Sequence, residues 1–185
     1  NEIKKAMQPV GYFRVTVHKQ LERHRDQWQA TFTIQEVPRI KIAKLALIIS
    51  GEGKTDPAFI RLQKHFPLKV GQALNTQRYE NAKQRLFDKA STRGYFKAKM
   101  VKSKIIINLV TYQVSIIMHF STGPRYHFGQ TVFSQSKLAI NFLKRYLTYR
   151  PGQPYNDNKI QQTQQDLASA PYFNQVLVLP QPDLA

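Results

Sequence analysis

A chain of 185 residues with 42% apolar and 11% aromatic side chains has the material to bury a core, and its length admits one domain or two to three small ones. Its 28 Lys and Arg against 11 Asp and Glu leave a formal charge of +17, which suits an anionic partner (nucleic acid, phospholipid headgroups or an acidic protein surface) without choosing among them. Cysteine is absent, which excludes disulfides, thiolate nucleophiles and Cys-bound zinc, and no apolar run reaches the roughly 20 residues of a membrane-spanning helix.

The opening Asn-Glu-Ile-Lys-Lys has neither a signal-peptide pattern nor an initiator Met and reads as the start of a fragment. Residues 1 to about 37 supply a terminal helix and two strands. From Ile40 to Ser50 a β-branched and Leu-rich run predicts a strand, closed by the turn Ser50-Gly51-Glu52-Gly53. Asp56-Pro57 is a helix start, an N-cap followed by proline at the first helical position, where its missing N–H is not needed. Phe59, Leu62 and Phe66 share one side of this short helix, and Pro67 ends it.

Asn75 or Thr76 caps a second helix, along which Tyr79, Ala82, Leu86 and Ala90 recur at helical spacing before Gly94 stops it. Two strands follow. Lys97 to Ile107 is the first, and Tyr112, Val114, Ile116, Met118 and Phe120 alternate on one face of the second. The order βααββ predicts an α+β unit, a three-stranded sheet covered on one face by two helices. The last stretch predicts a strand near Tyr126 to Phe133, helices near Leu138 to Leu147 and Asn156 to Ala168, and a strand near Gln175 to Leu179. It stops short of a closing strand, so the native chain is expected to continue beyond Ala185.

Three markers recur along the chain. Gly11-Tyr12-Phe13, Gly94-Tyr95-Phe96 and Pro171-Tyr172-Phe173 each follow a helix, with the phenylalanines 83 and 77 residues apart. Val37-Pro38-Arg39-Ile40-Lys41-Ile42 returns as Gly123-Pro124-Arg125-Tyr126-His127-Phe128, and Val70-Gly71-Gln72-Ala73-Leu74-Asn75 as Pro151-Gly152-Gln153-Pro154-Tyr155-Asn156. One order and nearly one period define a unit of about 80 residues. The divisions are residues 1–37, the C-terminal part of a first unit; 38–122, a complete second; and 123–185, a third lacking its last strand. The closing strand of one unit runs almost directly into the opening strand of the next, with no Gly/Ser-rich linker, which predicts limited flexibility at Val37-Pro38 and Gly123-Pro124.

These segments resemble the POTRA (polypeptide-transport-associated) domains of outer-membrane assembly factors, most closely those of the translocation and assembly module. The likeness rests on Arg93-Gly94-Tyr95-Phe96, on Gly123-Pro124-Arg125-Tyr126-His127-Phe128-Gly129 and on Pro151-Gly152-Gln153-Pro154-Tyr155 with Pro171-Tyr172-Phe173. The motif residues with a structural role are Gly94, Tyr95, Phe96, Gly123, Arg125, Tyr126, Phe128 and Gly129. Pro171 stands where a glycine is usual before the aromatic pair.

The resemblance implies tandem domains with three-stranded mixed sheets on the periplasmic face of the outer membrane, followed in the full-length protein by a C-terminal β-barrel. It implies as partners unfolded or β-rich outer-membrane clients such as autotransporters, and a TamB-like partner anchored in the inner membrane; anionic lipid headgroups are a further candidate. An exposed sheet edge offers unpaired backbone groups to an extended client segment. In this fold the strand after the second helix is the expected edge: Lys97, Ala98, Lys99, Met100, Val101, Lys102, Ser103 and Lys104. Its four lysines either protect the edge from aggregation or attract acidic strands and lipid headgroups. A BamA-like insertase and a two-partner secretion transporter are neighbouring alternatives.

No pattern points to catalysis, a cofactor or a metal. Ser50-Gly51-Glu52-Gly53-Lys54-Thr55 lacks the first glycine of a phosphate loop, its place being taken by Ile48. Arg93-Gly94-Tyr95-Phe96 begins like the base-stacking strand of an RNA-recognition motif, but Lys97-Ala98-Lys99 follows where further aromatics belong. The histidines His18, His24, His65, His119 and His127 show no ligand spacing, Asp56 and Asp157 read as helix caps, Glu80 and Asp88 lie on the outer face of one helix, and no Gly-x-Ser-x-Gly elbow occurs. The alternative of a different class is a basic α/β nucleic-acid-binding protein, whose affinity would fall steeply with salt where strand addition would lose little.

Overall fold

The computed structural model describes residues 2–25, 27–35, 37–134 and 138–182, so the outer bounds 1 and 185 read from the sequence lie outside the described residues. Its elements are α1 (Glu2–Met7), β1 (Thr16–His24), β2 (Gln27–Gln35), β3 (Lys41–Ser50), α2 (Pro57–Lys64), α3 (Thr76–Thr92), β4 (Lys99–Asn108), β5 (Gln113–Ser121), α4 (Ile140–Leu143) and α5 (Asp157–Ala168). By packing, the chain falls into two compact units: Asn1–Ile48 with Lys64–Gln84 and Lys102–His119, and Ile49–Gln63 with Arg85–Val101 and Phe120–Ala185.

Alternation along β5 builds the principal core. Val114, Ile116, Met118 and Phe120 are fully buried, while the residues between them are partly open, the two-residue period of a strand covered on one face. β3, β5 and β4 form a mixed three-stranded sheet in the order β3-β5-β4, so the last strand in sequence is the middle one and β3 and β4 lie at its two ends.

In the first unit β1 and β2 form an antiparallel hairpin, from Thr16 opposite Gln35 to His24 opposite Gln27. The pairs Val17–Ile34, Lys19–Phe32, Leu21–Ala30 and Arg23–Trp28 share one face, on which Leu21, Trp28, Phe32 and Ile34 are exposed. Arg23 lies over the Trp28 ring, 5.7 Å from its centroid, where the cation meets the ring's negative face. The Tyr79 and Ser103 hydroxyls hydrogen-bond, setting the helix-facing side of β4.

In the second unit the Phe120 ring meets Phe59 of α2 at 6.1 Å and, edge-on, Phe87 of α3 at 5.2 Å, so both helices cover the same face of the sheet. The α3 spacing puts Leu86 and Ala90 inside, as Tyr79 and Ala82 are in its first half. A second cluster joins Phe128, Tyr149, Tyr155 and Ile160, with Phe128 stacked on Tyr149 at 4.0 Å.

Several expectations need correcting: Tyr112 stands before β5 in a turn, Phe66 lies beyond the end of α2, and Asn156 rather than Asp157 caps α5. The strand expected from Lys97 begins at Lys99, because the Ala98 N–H donates to Tyr95 O (3.1 Å) and holds Lys97 and Ala98 in a turn. No strands form at Tyr126–Phe133 or Gln175–Leu179; only an isolated bridge joins His127 to Pro154. A strand exists through its ladder partner. In the complete sheet that partner is the middle strand β5, and the described residues after 123 contain no counterpart to it. The helix expected from Leu138 is one α-turn, α4, followed by a 3-10 turn at Lys144–Tyr146.

Candidate functional site

β4 is a terminal strand of its sheet. With Ser103 facing α3, Ile105 and Ile107 share its partly buried side and Lys104 and Ile106 lie on the exposed one, while the alternation breaks at Val101 and Lys102, which are both exposed. Lys97, Lys99, Lys102 and Lys104 are exposed, and among the described residues no carboxylate pairs with them. At the opposite end, β3 has part of its outer side taken: Leu74 N–H donates to Ile40 O, Ile42 N–H to Gln72 O and Gly71 N–H to Ile42 O.

Of the motif residues, Gly94, Tyr95, Phe96, Arg125 and Tyr126 converge at the end of α3. Tyr95 is buried, its ring edge-on to Phe59 at 5.5 Å and its hydroxyl donating to Asp56 Oδ2 at 3.0 Å. Phe96 packs edge-on against Tyr126 (5.3 Å) and Tyr155 (4.9 Å), and Tyr126 N–H donates to Gly94 O. Arg125 donates from Nε to Arg93 O and from a terminal nitrogen to Tyr155 O, while its backbone N–H donates to the Glu52 carboxylate. The Lys97 ammonium lies over the Tyr126 ring. Phe128 belongs to the second cluster, and Gly129 faces open space.

Asp56 is more than a cap. Its Oδ1 accepts from Ala58 N–H, the capping bond at the start of α2, while its Oδ2 accepts from Arg93 at 2.9 Å and lies 3.7 Å from Arg125. The side chain is only 3% exposed. Burial alone raises its pKa, but the bonds from Ala58, Arg93 and Tyr95 outweigh that and hold it below 3.8. The same contact, with burial the larger cause, pushes Tyr95 up to about 12. Pairing across 37 residues leaves no periodic trace. The available signal was an acid in a chain with few of them, together with an arginine in each of two family motifs.

A group with a depressed folded pKa contributes stability that is present above its unfolded pKa and lost as pH falls through the folded value. The Asp56 contribution is therefore present above 3.8 and disappears below it. Urea unfolding at stepped pH between 5 and 2, values chosen around that range, is expected to show a steeper acid loss in the wild type than in Asp56→Asn. Parallel curves would remove Asp56 as the cause.

The same geometry bears on the other readings. The buried Tyr95 ring, bonded to Asp56, presents no open platform to a base. In the Ser50–Thr55 turn the Gly53 N–H, which a phosphate cradle would need, already donates to Thr122 Oγ1 at 2.9 Å. No group of three or more potential metal-ligating side chains occurs among the described residues.

Residues 1–36 match the profile described as POTRA domain, TamA domain 1, and residues 46–123 match the POTRA profile described as surface antigen variable number repeat. The chain belongs to the POTRA family. Among solved structures, the crystal structure of Haemophilus influenzae BamA POTRA3-5 is similar over 96% of this chain and 72% of that one, at 15% identity and a TM-score of 0.52, a likeness of fold. POTRA1-3 of the periplasmic domain of Omp85 from Anabaena aligns over 90% of this chain and 68% of that one, at 18% identity and a TM-score of 0.38. The tandem α+β architecture of this chain is that of POTRA domains.

Proposed function

We propose that this chain is the periplasmic polypeptide-binding region of a TamA-like outer-membrane assembly and autotransporter-secretion factor, and that it works by β-strand addition without catalysis. POTRA domains are periplasmic, polypeptide-binding parts of Omp85-family outer-membrane proteins. The TamA assignment is supported by the profile over residues 1–36. The BamA-like reading draws on the fold likeness to BamA POTRA3-5. In this reading residues 1–37 close one domain, 38–122 form a second and 123–185 belong to a third, ahead of a β-barrel. The partners are unfolded outer-membrane clients and a TamB-like protein, with anionic lipid headgroups as a further surface.

The observation that carries the mechanism is the position of β4 at the end of the sheet. An end strand has one row of backbone N–H and C=O groups without a ladder partner, and a foreign strand satisfies them whatever its side chains. A photo-crosslinker at Lys102 is expected to capture a peptide from the terminal strand of an outer-membrane barrel. Methylating alternate backbone nitrogens of that peptide should weaken binding by about tenfold or more, while scrambling its sequence should change it by only about threefold. Equal loss on scrambling and on methylation would end the strand-addition reading.

The four lysines pose a separate question. Reversing Lys97, Lys99, Lys102 and Lys104 to glutamate together is expected to weaken association with anionic vesicles if they attract charge. Unchanged vesicle and client binding would leave them as guards of the edge.

A further inference from the structure

The two places where the Pro-Arg marker recurs are built bond for bond alike. In the first unit Ile40 N–H donates to Gly11 O at 2.8 Å, Leu74 N–H to Ile40 O at 2.9 Å, Ile42 N–H to Gln72 O at 2.9 Å and Gly71 N–H to Ile42 O at 2.8 Å. In the second unit Tyr126 N–H donates to Gly94 O at 2.8 Å, Tyr155 N–H to Tyr126 O at 2.9 Å, Phe128 N–H to Gln153 O at 2.8 Å and Gly152 N–H to Phe128 O at 2.7 Å. Each loop is braced by its own glutamine, Gln72 Oε1 accepting from Lys69 N–H and Gln153 Oε1 from Arg150 N–H.

One arginine closes each arrangement. Arg39 donates from Nε to Val10 O (2.7 Å) and from a terminal nitrogen to Leu74 O (3.5 Å). Arg125 donates from Nε to Arg93 O (3.1 Å) and from a terminal nitrogen to Tyr155 O (3.3 Å). Val10 and Arg93 each precede the helix-ending glycine, and Leu74 and Tyr155 occupy the same place in the loop before a helix. The guanidinium fork spans both carbonyls in a fixed plane, which a lysine ammonium cannot do. A Cβ at Gly11 would lie 2.7 Å from Leu74 O and one at Gly94 2.6 Å from Tyr155 Cβ, so the approach needs glycine on both occasions.

We infer that Arg39 and Arg125 are the locking residues of a recurring joint, each tying the helix end of one repeat to the opening strand and helix-entry loop of the next, so that successive repeats are held in a set relation. The inference rests on the division of the chain at residues 38 and 123. The second joint is reinforced, because Arg93 and Arg125 also meet Asp56, while Val10 in the first joint brings no charge. At the third helix end the corresponding residue is Pro171, whose ring keeps φ near about −65°. That end lacks the backbone that Gly11 and Gly94 provide at φ +99° and +81°.

The chain has no cysteine, so spin labels enter cleanly at the exposed pair Arg61→Cys and Gln161→Cys for the second joint, and at Gln20→Cys and Arg78→Cys for the first. The expected result is a narrow distance distribution that Arg125→Ala, or Arg39→Ala in the first pair, broadens about twofold at unchanged far-ultraviolet dichroism, with lysine restoring only part of the narrowness. Widths that ignore the alanine substitution overturn the inference. Should alanine unfold the chain, the Arg125→Lys width decides in the same way. Client-peptide capture at Lys102, measured on the same proteins, separates the two ideas: capture with unresponsive widths overturns the joint alone, and responsive widths without capture support the joint while ending strand addition.

Discussion

Replacing Asp56 by alanine is expected to lower the stability of the chain by about 3 kcal/mol, the lower end of the range for breaking a buried ion pair, because Arg93 and Arg125 keep some access to water. Four groups lose their acceptor together: the Ala58 N–H at the start of α2, the Arg93 guanidinium, the Tyr95 hydroxyl and the more distant Arg125. Tyr95 bears the sharpest loss, since its hydroxyl is buried against the core and has no route to solvent. Asparagine keeps one acceptor, for the cap, and sets an amide NH2 opposite Arg93 and Tyr95 where Oδ2 received both, so most of the loss should remain. Urea unfolding at neutral pH measures both. An Asp56→Ala midpoint equal to that of the wild type would show that the hub adds nothing to stability.

Gly94→Ala is expected to cost about 3 kcal/mol by another route. Gly94 has φ +81°, a left-handed conformation that costs an alanine about 1–2 kcal/mol. Its new Cβ would also stand 2.6 Å from Tyr155 Cβ and 3.0 Å from Tyr155 Cδ1. Tyr155 cannot step aside, being buried, with its N–H bonded to Tyr126 O and its carbonyl held by Arg125, so overpacking adds about 1–3 kcal/mol. Gly152 is the control: its φ is also +81°, but nothing lies within 4 Å of the added carbon, so Gly152→Ala should show the backbone cost alone. Thermal melts of the two variants that coincided would remove the close approach from the account and leave only the backbone term.

Local pattern was enough for the α+β class. The period of two along β5, the period of 3.6 along α3, and the Asp56-Pro57 and Asn75-Thr76 helix starts each follow from neighbours in the chain, and each element forms, although Tyr112 falls just before β5 and Phe66 just beyond α2. The repeat markers were legible for the same reason, since Gly-Tyr-Phe, Pro-Arg and Gly-Gln each meet a local demand for a turn, a strand entry or a braced loop. What those markers do for one another was not legible: periodicity carries no information about which carbonyl an arginine reaches 30 residues away.

Strand formation after residue 123 and the charge state of Asp56 were decided by tertiary structure. Tyr126–Phe133 and Gln175–Leu179 have strand-like composition, yet a strand is a relation between segments, and with no middle strand beside them among the described residues they form no ladder. Asp56 looks like any helix cap from its neighbours Pro57 and Ala58. Only folding, which withdraws it from water and delivers Arg93 and Tyr95 to its second oxygen, converts a capping carboxylate into the centre of an ion-paired cluster. Burial and charge pairing depend on what the rest of the chain brings to a point in space, and sequence order does not record that.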